Sequence, residues 1–146
     1  MYSIQKINST ETYPVRHIVL RAGKPIESCQ FDGDELVSTH HFGYYLNNQI
    51  IGVISLFEIE NERFIAQKSF QLRGMATAHS FQGKGIGNKL VNFAIVYLRG
   101  QHINYVWCNA RQKAFKFYTS LGFEFISDFF DIPNIGPHKQ MYLKIR

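Results

Sequence analysis

The chain predicts an α/β protein in which a central mixed β-sheet of about seven strands carries helices on both faces. Three observations support this. Extended and amphipathic segments follow one another in the order β, α, β, β, β, α, β, α, β, β. Asn47-Asn48 separates two apolar runs, as a tight hairpin turn does. Gln82-Gly83-Lys84-Gly85-Ile86-Gly87 separates an extended apolar run from an amphipathic one, which reads as strand, glycine-rich bend and helix.

Taken in order, residues 2–7 alternate enough for a first strand. A helix is predicted over residues 11–20, with Thr10 as N-cap and Pro14 accommodated in the first turn. Residues 21–34 read as an exposed loop bordering a substrate site, because they hold Gly23, Pro25 and Gly33 and lead into the acidic run Asp32, Asp34 and Glu35. Strands over residues 41–46 and 49–57 flank the asparagine pair, and residues 70–77 lead to the bend. Ile86, Leu90, Phe93 or Ala94, and Tyr97 recur at helical spacing, and Gly100 closes that helix. Residues 103–108 form the next strand. Ala114, Phe117, Tyr118 and Leu121 then share one helix face, and Gly122 stands where a left-handed C-terminal cap is expected. Strands over residues 123–129 and 139–145, joined by a loop over residues 131–137, complete the sheet.

The bend carries the chemistry. Glycines at alternate positions let the backbone turn tightly and direct several N–H groups to one point, where the positive end of the helix also lies. Such a nest binds phosphate or pyrophosphate. A nucleotide-triphosphatase loop is excluded, because Gly83-Lys84 is followed by Gly85 and not by Ser or Thr. A dinucleotide fingerprint fails as well, because Asn88 stands where the third glycine belongs. A helix-entry loop without a ligand is the plain alternative.

Composition fits one domain over residues 1–146, long enough to bury roughly two-thirds of its unfolded surface. No repeat or linker divides it. Apolar residues make up 45% and aromatics 15%, which argues against disorder, and no apolar stretch approaches the ~20 residues of a membrane span. The first residues lack a signal peptide's apolar core, so a cytoplasmic location is expected and no membrane partner. Cys29 and Cys108 are expected as free thiols. The net charge of +5 suits an anionic partner, but its basic residues form no block, so no nucleic-acid partner is expected.

The segment Asn109-Ala110-Arg111 followed by Phe117-Tyr118-Thr119-Ser120-Leu121-Gly122-Phe123 completes a pattern with the bend. Together they resemble the GNAT superfamily of acyl-CoA-dependent N-acetyltransferases, in which Gln/Arg-x-x-Gly-x-Gly/Ala is matched by Gln82, Gly85 and Gly87. The stretches Val19-Leu20-Arg21-Ala22-Gly23-Lys24-Pro25, Gln71-Leu72-Arg73-Gly74-Met75-Ala76-Thr77 and Gly136-Pro137-His138 look like a small bacterial single-domain subgroup. The resemblance implies acetyl-CoA as co-substrate, an amine acceptor and no metal. It implies coenzyme contacts from Gln82, Gly83, Lys84, Gly85, Ile86, Gly87, Asn88 and Asn109, and main-chain donors to the thioester and pantetheine arm from Met75, Ala76 and Thr77.

For Tyr118 the resemblance implies the acid that protonates the leaving thiolate, whereas periodicity alone reads a core tyrosine. Asn109 reads as a pantetheine ligand or as the cap of the following helix. Many family members carry a glutamate on the strand before the bend, but Gln71-Leu72-Arg73-Gly74 offers no carboxylate. The base is left among Glu58, His41, His79, His138 and water. His40-His41 does not make a metal site, because adjacent strand residues face opposite sides. Phe42, Tyr44, Tyr45, Phe129 and Phe130 read as core first and acceptor pocket second. The expected activity is acetyl transfer to a primary amine within a ternary complex. The alternatives are a non-catalytic acyl-CoA sensor and a basic nucleic-acid module. The acceptor and the oligomeric state, a homodimer included, are left open.

Overall fold

The computed structural model describes residues 1–64 and 67–146. Its elements are β1 (Tyr2–Ile7), α1 (Ser9–Leu20), β2 (His40–Leu46), β3 (Gln49–Phe57), β4 (Ser69–Thr77), α2 (Ile86–Gly100), β5 (Tyr105–Arg111), α3 (Phe115–Ser120), β6 (Glu124–Phe125), β7 (Phe130–Ile132) and β8 (Gly136–Lys144). The strands hydrogen-bond in the order β1-β2-β3-β4-β5-β8-β6, with β7 also on β8. The β4–β5 pair is parallel while β1–β2, β2–β3 and β5–β8 are antiparallel, so the sheet is mixed as the sequence predicts. Two compact units divide the chain, Met1–Glu58 with Leu72–Tyr97, and Ile59–Gln71 with Leu98–Arg146.

In the first unit the hairpin turns on Asn47 and Asn48, at φ 50° and 67°, the left-handed pair that suits a two-residue turn. The two faces of β3 take different helices. Val53 packs with Val15 of α1, Ile7 and Ala76. On the opposite face, a Cβ at Gly52 would lie 3.1 Å from the side chains of Ile86 and Leu90 of α2, so glycine allows the helix to approach without those side chains giving way. Ala94, not Phe93, belongs to the buried stripe of α2.

Helix α1 starts earlier than predicted. Its N-cap is Asn8 and not Thr10, because Glu11 accepts the Asn8 amide at 3.0 Å while the Glu11 amide donates to the Asn8 carbonyl at 3.1 Å. Pro14 consequently lies beyond the first turn and leaves the Thr10 carbonyl without its helical donor.

The larger correction concerns residues 21–34. This segment does not simply float in solvent, since Cys29, Phe31 and Asp34 are buried. The cause is Arg16, which is 0% exposed on α1. Its guanidinium donates to Asp34 Oδ2 at 2.7 Å and Oδ1 at 3.1 Å, to the Cys29 carbonyl at 2.7 Å and to Ser55 Oγ at 2.9 Å. Asp34 Oδ2 also accepts the Phe31 amide at 2.9 Å. A buried cation has to be paired, and one carboxylate, one carbonyl and one hydroxyl surround this one.

In the second unit β5 extends to Arg111, so Asn109-Ala110-Arg111 is strand. Gly122 takes φ 96°, and the Phe123 amide donates back to the Tyr118 carbonyl at 3.0 Å, the expected left-handed helix end. The predicted final strand pair is instead three strands. Residues 130–132 pair with residues 136–138 across a turn in which Asn134 takes φ 67°, so the predicted loop is largely a small hairpin. Among the described residues no helix is long and apolar enough to cross a membrane.

Replacing Asp34 with Ala leaves the Arg16 charge buried and uncompensated. The expected loss is about 3–5 kcal/mol of folding free energy. Urea unfolding at neutral pH measures it, and an unchanged midpoint contradicts the assignment.

Candidate functional site

Strand β4 ends at Thr77, and the next amide, Ala78, donates to the Ile51 carbonyl at 2.8 Å, which ties the strand's exit to β3. A single 3-10 turn, His79–Phe81, follows. Gln82 Nε2 then reaches back to the Thr77 carbonyl at 2.9 Å, so this side chain braces the loop. Gly83 and Gly85 take φ 76° and 81° with open space where a Cβ would stand. They are glycine for conformation and not for room. Lys89 N to Gly85 O, at 3.2 Å, is the first bond of the α2 ladder. Among the described residues the amides from Gly83 to Asn88 donate to no carbonyl.

These unpaired amides lie at the positive end of a 15-residue helix. Lys84 and Lys89 add charge there, held over the rings of Phe81 and Tyr2 at 5.5 and 4.2 Å. The arrangement can hold a diphosphate. Upstream on β4, Gly74 takes φ 64°, Ala76 is buried, and Met75 and Thr77 are half-buried.

In the second unit Tyr118 is 7% exposed, packed on Phe117 and Phe123 and hydrogen-bonded to the Cys108 thiol. Burial, and then Cys108, push its phenol well above the usual tyrosine value. Cys108 is itself pushed up to about 12 by burial, against a smaller opposing pull from Tyr118. Both groups are therefore neutral at physiological pH. Asn109 lies on β5 opposite Gln140. Its Oδ1 is buried with no partner among the described residues, and it caps nothing, because Arg111 and Ala114 occupy the N-cap positions that follow.

The candidate bases fare differently. His41 uses both ring nitrogens, Nδ1 on Ser55 Oγ at 2.6 Å and Nε2 on the Asp34 carbonyl at 2.9 Å, and burial lowers its pKa. It belongs to the Arg16 network. His138 donates from Nδ1 to the Gly136 carbonyl at 2.8 Å and pins its loop. His79 lies exposed in the turn, and Glu58 lies exposed at the end of β3. Of the aromatic surplus, Phe42 and Tyr44 are core, Tyr45 and Phe130 are half-buried, and Phe129 is exposed. No group of three metal-ligating side chains occurs among the described residues.

Sequence reasoning missed two features of the first unit. One is the Arg16–Asp34 pair, whose signal was Arg16 standing four residues after Thr12 on the inward helix stripe. The other is Arg73, whose guanidinium lies 5.2 Å from the ring centroids of both Phe31 and Phe57. An open depression of about 500 Å³ borders Phe31 and is lined by Glu27, Asp32, Asp34 and Glu35 among others.

Comparison with known proteins identifies the fold and the family. The chain is 32% identical over 147 residues to the uncharacterized N-acetyltransferase YitI of Bacillus subtilis, covering 100% of this chain and 98% of that one. Its fold matches the ribosomal-protein-S18-alanine N-acetyltransferase of Escherichia coli at TM-score 0.78, with 17% identity over 99% of this chain and 94% of that one. It also matches an aminoglycoside 6'-N-acetyltransferase complexed with coenzyme A at TM-score 0.79, with 11% identity over 99% and 97%. Residues 2–123 match the Acetyltransferase (GNAT) family, and the chain belongs to that family of acyl-CoA-dependent acetyltransferases.

Proposed function

We propose that this protein moves an acetyl group from acetyl-CoA to a primary amine by direct attack in a ternary complex, with no covalent enzyme intermediate. The observation that carries the reading is the row of unpaired amides from Gly83 to Asn88 at the start of α2. A coenzyme diphosphate satisfies such donors and gains from the helix dipole.

Three demands follow from the chemistry. The tetrahedral oxyanion needs donors, and main-chain amides of Met75, Ala76 and Thr77 supply them in this reading. One such donor is commonly worth roughly 3–4 kcal/mol. The leaving thiolate gains from a proton or a hydrogen bond, and Tyr118 supplies it. With a phenol at least ~1.5 pKa units above a thiol, complete transfer is uphill by roughly 2 kcal/mol or more, so Tyr118 stabilises the thiolate mainly as a hydrogen-bond donor. It exchanges its Cys108 partner for the leaving sulfur to do so. The attacking amine must be neutral, which for a lysine-like group costs roughly 4–5 kcal/mol at pH 7. β4 carries no carboxylate, and with His41 and His138 committed to other partners the proton acceptor is left among Glu58, His79 and water.

A screen of amines with acetyl-CoA and thiol-release detection tests the activity. Acceptor-dependent thiol release supports it, whereas tight coenzyme binding with no release from any amine makes the protein a coenzyme sensor. Tyr118→Phe is expected to lower kcat about tenfold or more while the KM for acetyl-CoA changes little. An unchanged kcat removes Tyr118 from the mechanism. Gly85→Ala forces a side chain into a left-handed conformation at a cost of about 1–2 kcal/mol. Steady-state kinetics should show this as an acetyl-CoA KM raised about tenfold with kcat at saturation nearly retained, and an unaltered KM contradicts the bend's role.

A further inference from the structure

Arg73 stands on β4 one residue before the left-handed Gly74, and its side chain is held between two phenylalanine rings. Among the described residues it makes no hydrogen bond and no ion pair. Its nitrogens are not sealed from solvent. The nearby buried carboxylate is spoken for, because Asp34 is bound by Arg16 through both oxygens and by the Phe31 amide. Glu35 is likewise engaged, by the Ser9 hydroxyl. Asp32 is exposed and attracts Arg73 without pairing with it.

Arg16, Arg21 and Arg73 lie over the Phe31 ring at 3.9, 5.1 and 5.2 Å, while Asp34, bound to Arg16, and Glu27, Asp32 and Glu35 line the depression beside it, so that Arg73 has acids near it but none bonded to it. A guanidinium gripped by aromatic rings keeps its edge N–H groups directed outward, as a fork that matches a carboxylate or phosphate. Burial and Arg16 both weaken the charged form of Arg73, and a bound anion offsets that cost.

Position along β4 decides which substrate carries the anion. In the proposed reaction Met75, Ala76 and Thr77 hold the thioester, and the coenzyme's phosphates lie downstream at residues 82–88. Arg73 is upstream of the thioester segment, two residues or roughly 7 Å from Met75. That is the side away from the diphosphate. We propose that Arg73 docks an oxyanion borne by the acceptor, so that the accepted amine is one that also carries a carboxylate or a phosphate. The assignment rests on the acetyltransferase reading and narrows its acceptor class.

The test is acetyl transfer measured across matched compounds. One arm pairs the protein amino acids with their carboxamides, and a second pairs amino-sugar phosphates with the unphosphorylated amino sugars. Coenzyme binding is followed by calorimetry in parallel. At least one anionic acceptor is expected to exceed its neutral partner by tenfold or more in kcat/KM, and the arm in which this happens identifies carboxylate or phosphate. Arg73→Gln should collapse that ratio to within about twofold, chiefly through acceptor KM, with the acetyl-CoA Kd unchanged. Arg73→Lys should restore part of it. A melting temperature for each variant separates this from unfolding, because a merely structural Arg73 lowers stability and leaves the ratio alone. Transfer that ignores or disfavours the anionic group, in the wild type and in Arg73→Gln alike, overturns the assignment while leaving the transferase intact. Absence of coenzyme binding removes the transferase reading and the assignment with it.

Discussion

A charge taken out of water must be answered by the protein, and Arg16 imposes that demand on the whole first unit. Its guanidinium recruits Asp34, the Cys29 carbonyl and Ser55, and Ser55 in turn engages His41. Asp34 reaches its place only if residues 29–34 fold inward, which carries Phe31 onto the Arg16 plane. Helix α1, the loop after it and strands β2 and β3 are thus joined through one cation. The neutral state of His41 follows, since its ring is buried and its Nε2–H is committed to the Asp34 carbonyl.

Most groups of that network are satisfied, Arg16 Nε excepted. Buried or half-buried polar atoms are nearly always partnered in native proteins, so an exception marks a position reserved for something else. Among the described residues Asn109 Oδ1 and Arg16 Nε are sealed without a partner and the half-buried Arg73 guanidinium has none, whereas the amides of residues 83–88, most of them on exposed residues, are unpaired as the first amides of a helix are. In the proposed reaction the amides hold the coenzyme phosphates and Arg73 holds the acceptor. Tyr118 differs from them, for its hydroxyl already has Cys108 as partner and exchanges it in the proposed reaction.

Much of this was legible in the sequence, where local rules suffice. Gly83 and Gly85 are readable because a left-handed backbone has a near-unique residue signature, and Asn47-Asn48 and Gly122 are readable for the same reason. The start of α1 was misread although its signal is local. Asn8 and Thr10 are both cap residues, and Glu11, three after Asn8, decides between them. What stayed hidden depends on pairing across the chain. Asp34 looks like an exposed loop acid until Arg16, 18 residues earlier, is placed beside it. Strand β7 exists because residues 136–138 return to meet it, and Arg73 is defined by Phe31 and Phe57, which no spacing rule connects.

The claim on which the functional account rests is that the amides at the start of α2 hold the coenzyme's diphosphate. Amide NMR of nitrogen-15-labelled protein titrated with coenzyme A reads those groups directly. The account expects Gly83, Lys84, Gly85, Ile86, Gly87 and Asn88 to show the largest shifts and to saturate together. Resonances at the bend that stay unmoved at millimolar coenzyme would contradict it.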